Sequence, residues 1–225
     1  MQTIGIIGAL PTELTGIRRR LGAGEVLHKS GFDFYINMLG NKRIVNACCG
    51  ISKVNAAVCC QAMIESFETD AIINTGIAGG MHSDVKICDI VISSDVLPHD
   101  VEPRFLTNYP PYCGIFKADS ALIKIACDIC EEKQYIHFVG RIVSGEAFIS
   151  SNEVKNSIIA KYDPHAVDME SAAIGHCCFL NNTPFVSVRC ISDNADDQGE
   201  MTYDEFENIA AEKVAEVVID MVRIY

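Results

Sequence analysis

Ile4-Gly5-Ile6-Ile7-Gly8-Ala9-Leu10-Pro11-Thr12-Glu13 reads as a β-branched strand that leaves the core through a glycine and enters a helix at a proline, with a carboxylate in the first helical turn. Proline has a fixed φ and no N–H to lose, so it suits the first helical position. A strand that turns at once into a helix is half of a crossover unit, and the same alternation recurs along the chain. Apolar runs at Thr3 to Ile7, Arg43 to Cys48, Ala71 to Asn74, Ile90 to Ser93, Phe138 to Val143 and Phe185 to Ile191 read as core strands. Helical patterns separate them, one opened by Ser52 as an N-cap before Lys53-Val54-Asn55-Ala56-Ala57. The closing stretch places Phe206, Ile209, Ala210, Val214, Val217, Val218 and Met221 on one helical face. Strands alternating with helices predict an α/β fold with a largely parallel or mixed sheet covered on both faces.

The 225 residues are 49% hydrophobic, enough for one buried core, and no Pro/Gly/Ser-rich linker divides them, so a single domain over 1–225 is expected. A formal net charge of −12 repels phosphate backbones and anionic membrane surfaces, which argues against a nucleic-acid partner. No apolar run approaches the ~20 residues of a membrane span, and the N-terminus lacks the basic segment and apolar core of an export signal. Eleven cysteines, an odd number spread through apolar stretches such as Cys48-Cys49, Cys59-Cys60 and Cys177-Cys178, read as small buried hydrophobes in a reducing cytoplasm. Cys127 and Cys130 have the C-x2-C spacing of a metal or redox motif, but no second pair or histidine cluster completes a site, so no metal is assigned.

In such sheets ligands bind beyond the carboxyl ends of the strands, which singles out the residues just after each apolar run. Glu13 is there, either as a site residue or simply as an acid favoured at a helix N-terminus. Asn74-Thr75-Gly76-Ile77-Ala78-Gly79-Gly80 carries three glycines, as a tight turn or as backbone that approaches a flat ligand. It has neither the dinucleotide nor the phosphate-loop spacing. Asp168-Met169-Glu170 opens a helix; its acids either cap that helix or together offer acceptors for vicinal hydroxyls beside an apolar methionine. In Val186-Ser187-Val188-Arg189-Cys190-Ile191-Ser192-Asp193, alternation puts Arg189, Ile191 and Asp193 on one side. Asp193 is then either the ion-pair partner of Arg189 or a desolvated acid ready to protonate a base nitrogen.

Taken in order, these stretches resemble the 5′-methylthioadenosine/S-adenosylhomocysteine nucleosidases of the nucleoside phosphorylase-like superfamily over nearly the full length. The resemblance is carried by Ile4-Gly5-Ile6-Ile7-Gly8-Ala9, Gly50-Ile51-Ser52-Lys53-Val54, Ile72-Ile73-Asn74-Thr75-Gly76, Val143-Ser144-Gly145-Glu146-Ala147-Phe148-Ile149, Asp168 to Ile174 and Arg189 to Asp193. It implies a three-layer αβα domain with a mixed, twisted, partly barrel-like sheet, and hydrolysis of an adenine nucleoside without metal or organic cofactor. The resemblance further implies that Asp193 protonates N7 of adenine and Glu13 deprotonates the attacking water. Glu170 would hold the ribose hydroxyls and Arg189 would place Glu13 and the water. Phe148 and Ile149 match adenine-binding positions, Met169 a ribose contact, Ile51 and Ile77 substrate-binding positions, and Phe206 an aromatic on the 5′ side. A homodimer is implied, with the 98–113 loop of one subunit closing its neighbour's 5′ pocket.

Two departures from the family pattern bear on activity. Ile77 stands where the family has a serine, and the loop from His99 to Tyr112 keeps only its His-Asp start, with Arg104 near an implied 5′ pocket. Arg104 is either a solvated loop residue or a partner for an anionic 5′ group. Three rival readings remain open: a phosphorolytic enzyme of the same fold, a hydrolase of nucleosides with bulky or acidic 5′ groups, and a nucleoside-binding protein that lost turnover at Ile77.

Overall fold

Ile4 and Ile6 of the first strand point to one face of the sheet and Ile7 to the other, each fully buried, so that strand is sandwiched between two apolar layers. The computed structural model describes residues 1–225. In chain order the elements are β1 (Thr3–Gly8), α1 (Pro11–Leu21), β2 (Glu25–Lys29), β3 (Phe32–Leu39), β4 (Lys42–Cys48), α2 (Lys53–Phe67), β5 (Ala71–Gly80) and β6 (Ile90–Pro98). There follow α3 (Pro103–Thr107), β7 (Phe116–Lys117), α4 (Ser120–Glu132), β8 (His137–Ser144), α5 (Asn152–Tyr162), β9 (Ala166–Asp168), α6 (Ser171–Asn181), β10 (Phe185–Asp193) and α7 (Gly199–Ile224).

One mixed sheet takes in every strand in the order β10-β6-β8-β9-β5-β1-β4-β3-β2, with β7 on the side of β6. Because β10 also pairs with β5, the strands β5, β10, β6, β8 and β9 close into a five-membered ring. Closure removes their free edges and brings the ends of β5, β9 and β10 together. Buried side chains of α1, α4 and α7 fill the core on one face of the sheet, and those of α2 and α6 fill the other. No helix is long and apolar enough to cross a membrane.

The six runs recognised as strands are strands, and Pro11 and Ser52 open α1 and α2 as their chemistry suggests. Three features differ. The hairpin of β2 and β3 is absent from the sequence reading, since every residue of β2 is exposed and its side chains carry no alternation. The stretch Asn74–Gly80 is not a turn after a strand but the second half of β5, buried throughout and held between β10 and β9. On α7, Ile209 is 57% exposed and lies off the buried stripe that Ala210, Val214, Val217, Val218 and Met221 form.

Candidate functional site

Where β5 and β10 end beside the N-termini of α1 and α6, a cleft of about 580 Å³ opens. Its lining includes Glu13, Ile51, Ile77, Phe148, Met169, Glu170 and Asp193 from the sequence reading, together with Ser192, Glu200, Tyr203 and Asp204. Ile149 borders a smaller adjoining hollow that shares Phe148, Met169 and Asp193. Phe206 is not among the lining residues; the aromatic that α7 presents there is Tyr203, whose ring meets Phe148 edge-on with centroids 5.8 Å apart.

Glu13 is the third residue of α1 and turns back over its own helix start. Its Oε2 accepts the amides of Ala9 at 2.6 Å and Leu10 at 2.9 Å, and Oε1 accepts the amide of Ile77 at 3.0 Å. Free amides at a helix N-terminus are a natural seat for a carboxylate. Burial pushes its pKa up, opposed by the Arg189 charge and by these three amides. Gly76 makes the arrangement possible. With φ at 153°, a Cβ there would lie 2.1 Å from Arg189 Nη1 and 2.3 Å from Glu13 Oε1.

Glu170 caps α6, and its Oε1 accepts the amide of Ser52, 3.0 Å away at the start of α2. The N-terminus of α2 thus holds this carboxylate, while the side chain makes no bond to the amides of its own helix. Burial first, and then the charge of Asp168, push its pKa up to about 7, against the pull of Arg189.

Asp193 follows a bulge: the pairing of β10 on β5 slips between Ile191 and Asp193, so strict alternation ends there. Its Oδ1 accepts the Ala195 amide at 2.7 Å and its Oδ2 the Ser192 hydroxyl at 2.9 Å. Burial raises its pKa, with those two hydrogen bonds pulling the other way. A carboxyl shifted upward at a cleft wall suits the role of a general acid.

The polar network behind these acids decides between two pairs of alternatives that the sequence leaves open. Asp168 does not share vicinal hydroxyls with Glu170. Its Oδ1 accepts the Ser144 hydroxyl at 2.5 Å and the amides of Glu170 and Ser171 at 3.2 Å, while Oδ2 accepts Arg189 Nε at 2.8 Å and the Ser171 hydroxyl. With both oxygens taken, Asp168 caps α6 and anchors Arg189. Arg189 in turn pairs with Asp168 and not with Asp193. Fully buried, it also donates to the Thr75 carbonyl at 3.0 Å and to Asn74 Oδ1 at 2.7 Å. It stands 4.0 Å from Glu13 and 3.9 Å from Glu170, behind the cleft wall rather than on it. Asn74, whose Oδ1 also accepts the hydroxyls of Ser171 and Ser187, is a hub that the sequence reading did not single out as polar machinery.

Arg104 pairs with Glu102 at 2.8 Å and is largely exposed on α3. Cys127 and Cys130 both lie on α4, Cys130 buried against the core and Cys127 partly so, and all eleven thiols are unpaired.

A closed five-strand ring with acids at the mouth defines a class of protein, and residues 3–223 match the family model of the Phosphorylase superfamily. The chain is 33% identical over 226 residues to a 5′-methylthioadenosine/S-adenosylhomocysteine nucleosidase of Oceanobacillus iheyensis, covering 98% of this chain and 99% of the relative. A nucleosidase of the same description from Neisseria meningitidis, solved with methylthio-immucillin-A, superposes with a TM-score of 0.94 at 34% identity, covering 100% of both chains. Similar at 28% identity is a futalosine hydrolase mutant of Helicobacter pylori, with a TM-score of 0.94 and 100% of both chains covered. The chain belongs to the Phosphorylase superfamily and, within it, to the 5′-methylthioadenosine/S-adenosylhomocysteine nucleosidase family.

Proposed function

We propose that residues 1–225 act as one nucleosidase domain that hydrolyses the N-glycosidic bond of 5′-methylthioadenosine, S-adenosylhomocysteine or both, releasing adenine and the 5′-thio-ribose. The observation that carries this is the meeting of the buried carboxylates Glu13, Glu170 and Asp193, beside the Arg189-bound Asp168, on one nucleoside-sized cleft that no Lys, Arg or His lines. Cleavage of the bond puts positive charge on the ribose and negative charge on the base. Burial raises all three; Glu13 and Glu170, each drawn back by the Arg189 charge, stabilise the first when ionised, and Asp193, which lacks that pull, supplies a proton for the second.

The water oxygen bonds to C1′ and gives its proton to Glu13. The C1′–N9 electron pair departs with adenine, and the proton of Asp193 neutralises the base at N7. Glu170 accepts from the ribose hydroxyls, with Met169 against the sugar. Phe148 stacks on the base, Ile149 binds it through its backbone, and Ile51 and Ile77 provide apolar wall. Arg189 acts from behind, as a charge that keeps Glu13 and Glu170 ionisable.

Phosphorolysis fits poorly, because a carboxylate beside the attacking position repels phosphate and no lining cation attracts it. Glu200 and Asp204 at the cleft likewise disfavour an acidic 5′ group. A homodimer is supported by an apolar groove of about 610 Å³ between α2, α6 and the 98–106 segment, with Val54, Val58 and Leu180 exposed around it. A second copy of the chain fits there, which would bring the 98–113 loop towards a neighbour's 5′ pocket. The eleven unpaired thiols support a reducing, cytoplasmic setting.

The reading is tested with a panel of 5′-substituted adenosines and free adenine quantified in phosphate-free buffer. Release of adenine from the 5′-thio compounds is expected. Phosphate-dependent formation of a ribose 1-phosphate, or tight binding without any release, would replace it with one of its rivals.

A further inference from the structure

A water that attacks C1′ needs a base for its proton and a second group to aim its lone pair. Glu13 is placed to be the base, with its oxygens already seated on the amides of Ala9, Leu10 and Ile77. The wall beside it is formed by Ala9, Leu10 and Ile77, whose side chains neither donate nor accept. Only two hydroxyl side chains line the cleft, those of Ser192 and Tyr203. Ser192 Oγ is engaged, 2.9 Å from Asp193 Oδ2 and 3.4 Å from the Ala78 carbonyl. The phenol of Tyr203 remains.

Tyr203 and Glu13 line the same cleft, and the phenol feels the Glu13 charge. Thr12 donates to Glu207 Oε1 at 2.8 Å, tying α7 across the first turn of α1. Tyr203 precedes Glu207 by one helical turn, so it shares the face of α7 that meets the start of α1. Its edge-on packing against Phe148, at an interplanar angle of 89°, fixes the ring. Burial and the charges of Glu207, Glu13, Asp193 and Asp204 hold the phenol in its protonated, donating form.

We propose that Tyr203 is a positioning residue whose phenol donates a hydrogen bond to the water that Glu13 deprotonates, on a wall where Ile77 offers no hydroxyl. This rests on the nucleosidase reading above.

The test compares Tyr203→Phe, Ile77→Ser and the double variant with the unsubstituted enzyme, measuring kcat and KM for adenine release from 5′-methylthioadenosine. Tyr203→Phe keeps the ring against Phe148 and is expected to lower kcat about tenfold at nearly constant KM. Ile77→Ser adds a hydroxyl beside the same water, so in that background the loss from Tyr203→Phe should shrink to about threefold or less. An unchanged kcat, a rise in KM alone, or an equal loss in both backgrounds overturns the proposal. Failure of the nucleosidase reading looks different: the unsubstituted enzyme then releases no adenine, and the role of Tyr203 falls with it.

Discussion

Arg189 Nε and Nη2 both lie 2.8 Å from Asp168 Oδ2, in a pair with no measurable solvent exposure on the arginine side. One cation is thereby committed to one carboxylate, and Glu13 and Glu170 feel its charge without bonding to it. The cleft keeps a surplus of negative charge, as the proposed stabilisation of a cationic sugar requires. Removing one partner of a buried pair strands the other's charge, which typically costs about 3–5 kcal/mol. Asp168→Asn should therefore lower unfolding free energy by about that amount in a urea titration. A loss below about 1 kcal/mol, the range of exposed pairs, would show that Asp168 is not the principal anchor of Arg189.

Gly76→Ala tests the seat of Glu13. The added Cβ would fall 2.3 Å from Glu13 Oε1 and 2.1 Å from Arg189 Nη1, so both side chains must move. Displacing a catalytic group by about 1 Å can cost about 10²-fold, and a drop of that order in kcat/KM is expected, with circular dichroism unchanged. Activity within a few-fold of the unsubstituted enzyme would mean that Glu13 tolerates relocation.

The titration of Glu170 links stability to pH. Its carboxyl moves from an ordinary value of 4.5 up to about 7 in the fold, so between those values the folded chain binds more protons than the unfolded one. Stability from this group is therefore greatest below about pH 4.5 and is lost as pH rises to about 7, by on the order of 3 kcal/mol at most. Glu13 and Asp193, also raised by burial, act in the same direction. Urea unfolding across that range should show the decline, and Glu170→Gln should flatten it. If Glu170 acts as proposed, the same titration should set the acid limb of kcat/KM near pH 7, because a protonated Glu170 would no longer stabilise a cationic ribose.

Arg104 is paired with Glu102 and stacked over Phe105, 5.1 Å from the ring centroid. Arg104→Ala should leave the ratio of kcat/KM for methylthioadenosine and S-adenosylhomocysteine within about twofold, since an exposed pair is worth only about 0–1 kcal/mol. A larger change in that ratio would assign Arg104 to the 5′ pocket.

Strand-and-crossover architecture was legible because β1 is an apolar and glycine run and β10 interrupts its apolar residues only singly as far as Ile191. β2 was not, since a fully exposed edge strand carries no burial pattern to read. Asn74–Gly80 looked like a turn because its glycines mark close approach, here of Arg189, Glu13 and Asp193, rather than a change of direction. Asp168 and Glu170 are indistinguishable in sequence, yet one serves the helix cap and the other faces the cleft, a choice made by Ser144 and Arg189 from distant strands. Tyr203 and Phe206 are three residues apart on one helix, and only the packing of α7 on Phe148 decides which lines the cleft.

The proposed hydrolysis depends most on Asp193 as the acid that frees the base. Asp193→Asn should be assayed on 5′-methylthioadenosine and on the matching 4-nitrophenyl riboside, whose leaving group departs as an anion and needs no proton. Adenine release is expected to fall by about 10²–10⁴-fold, with nitrophenolate release nearly unchanged. Equal losses on both compounds, or none on either, would contradict it.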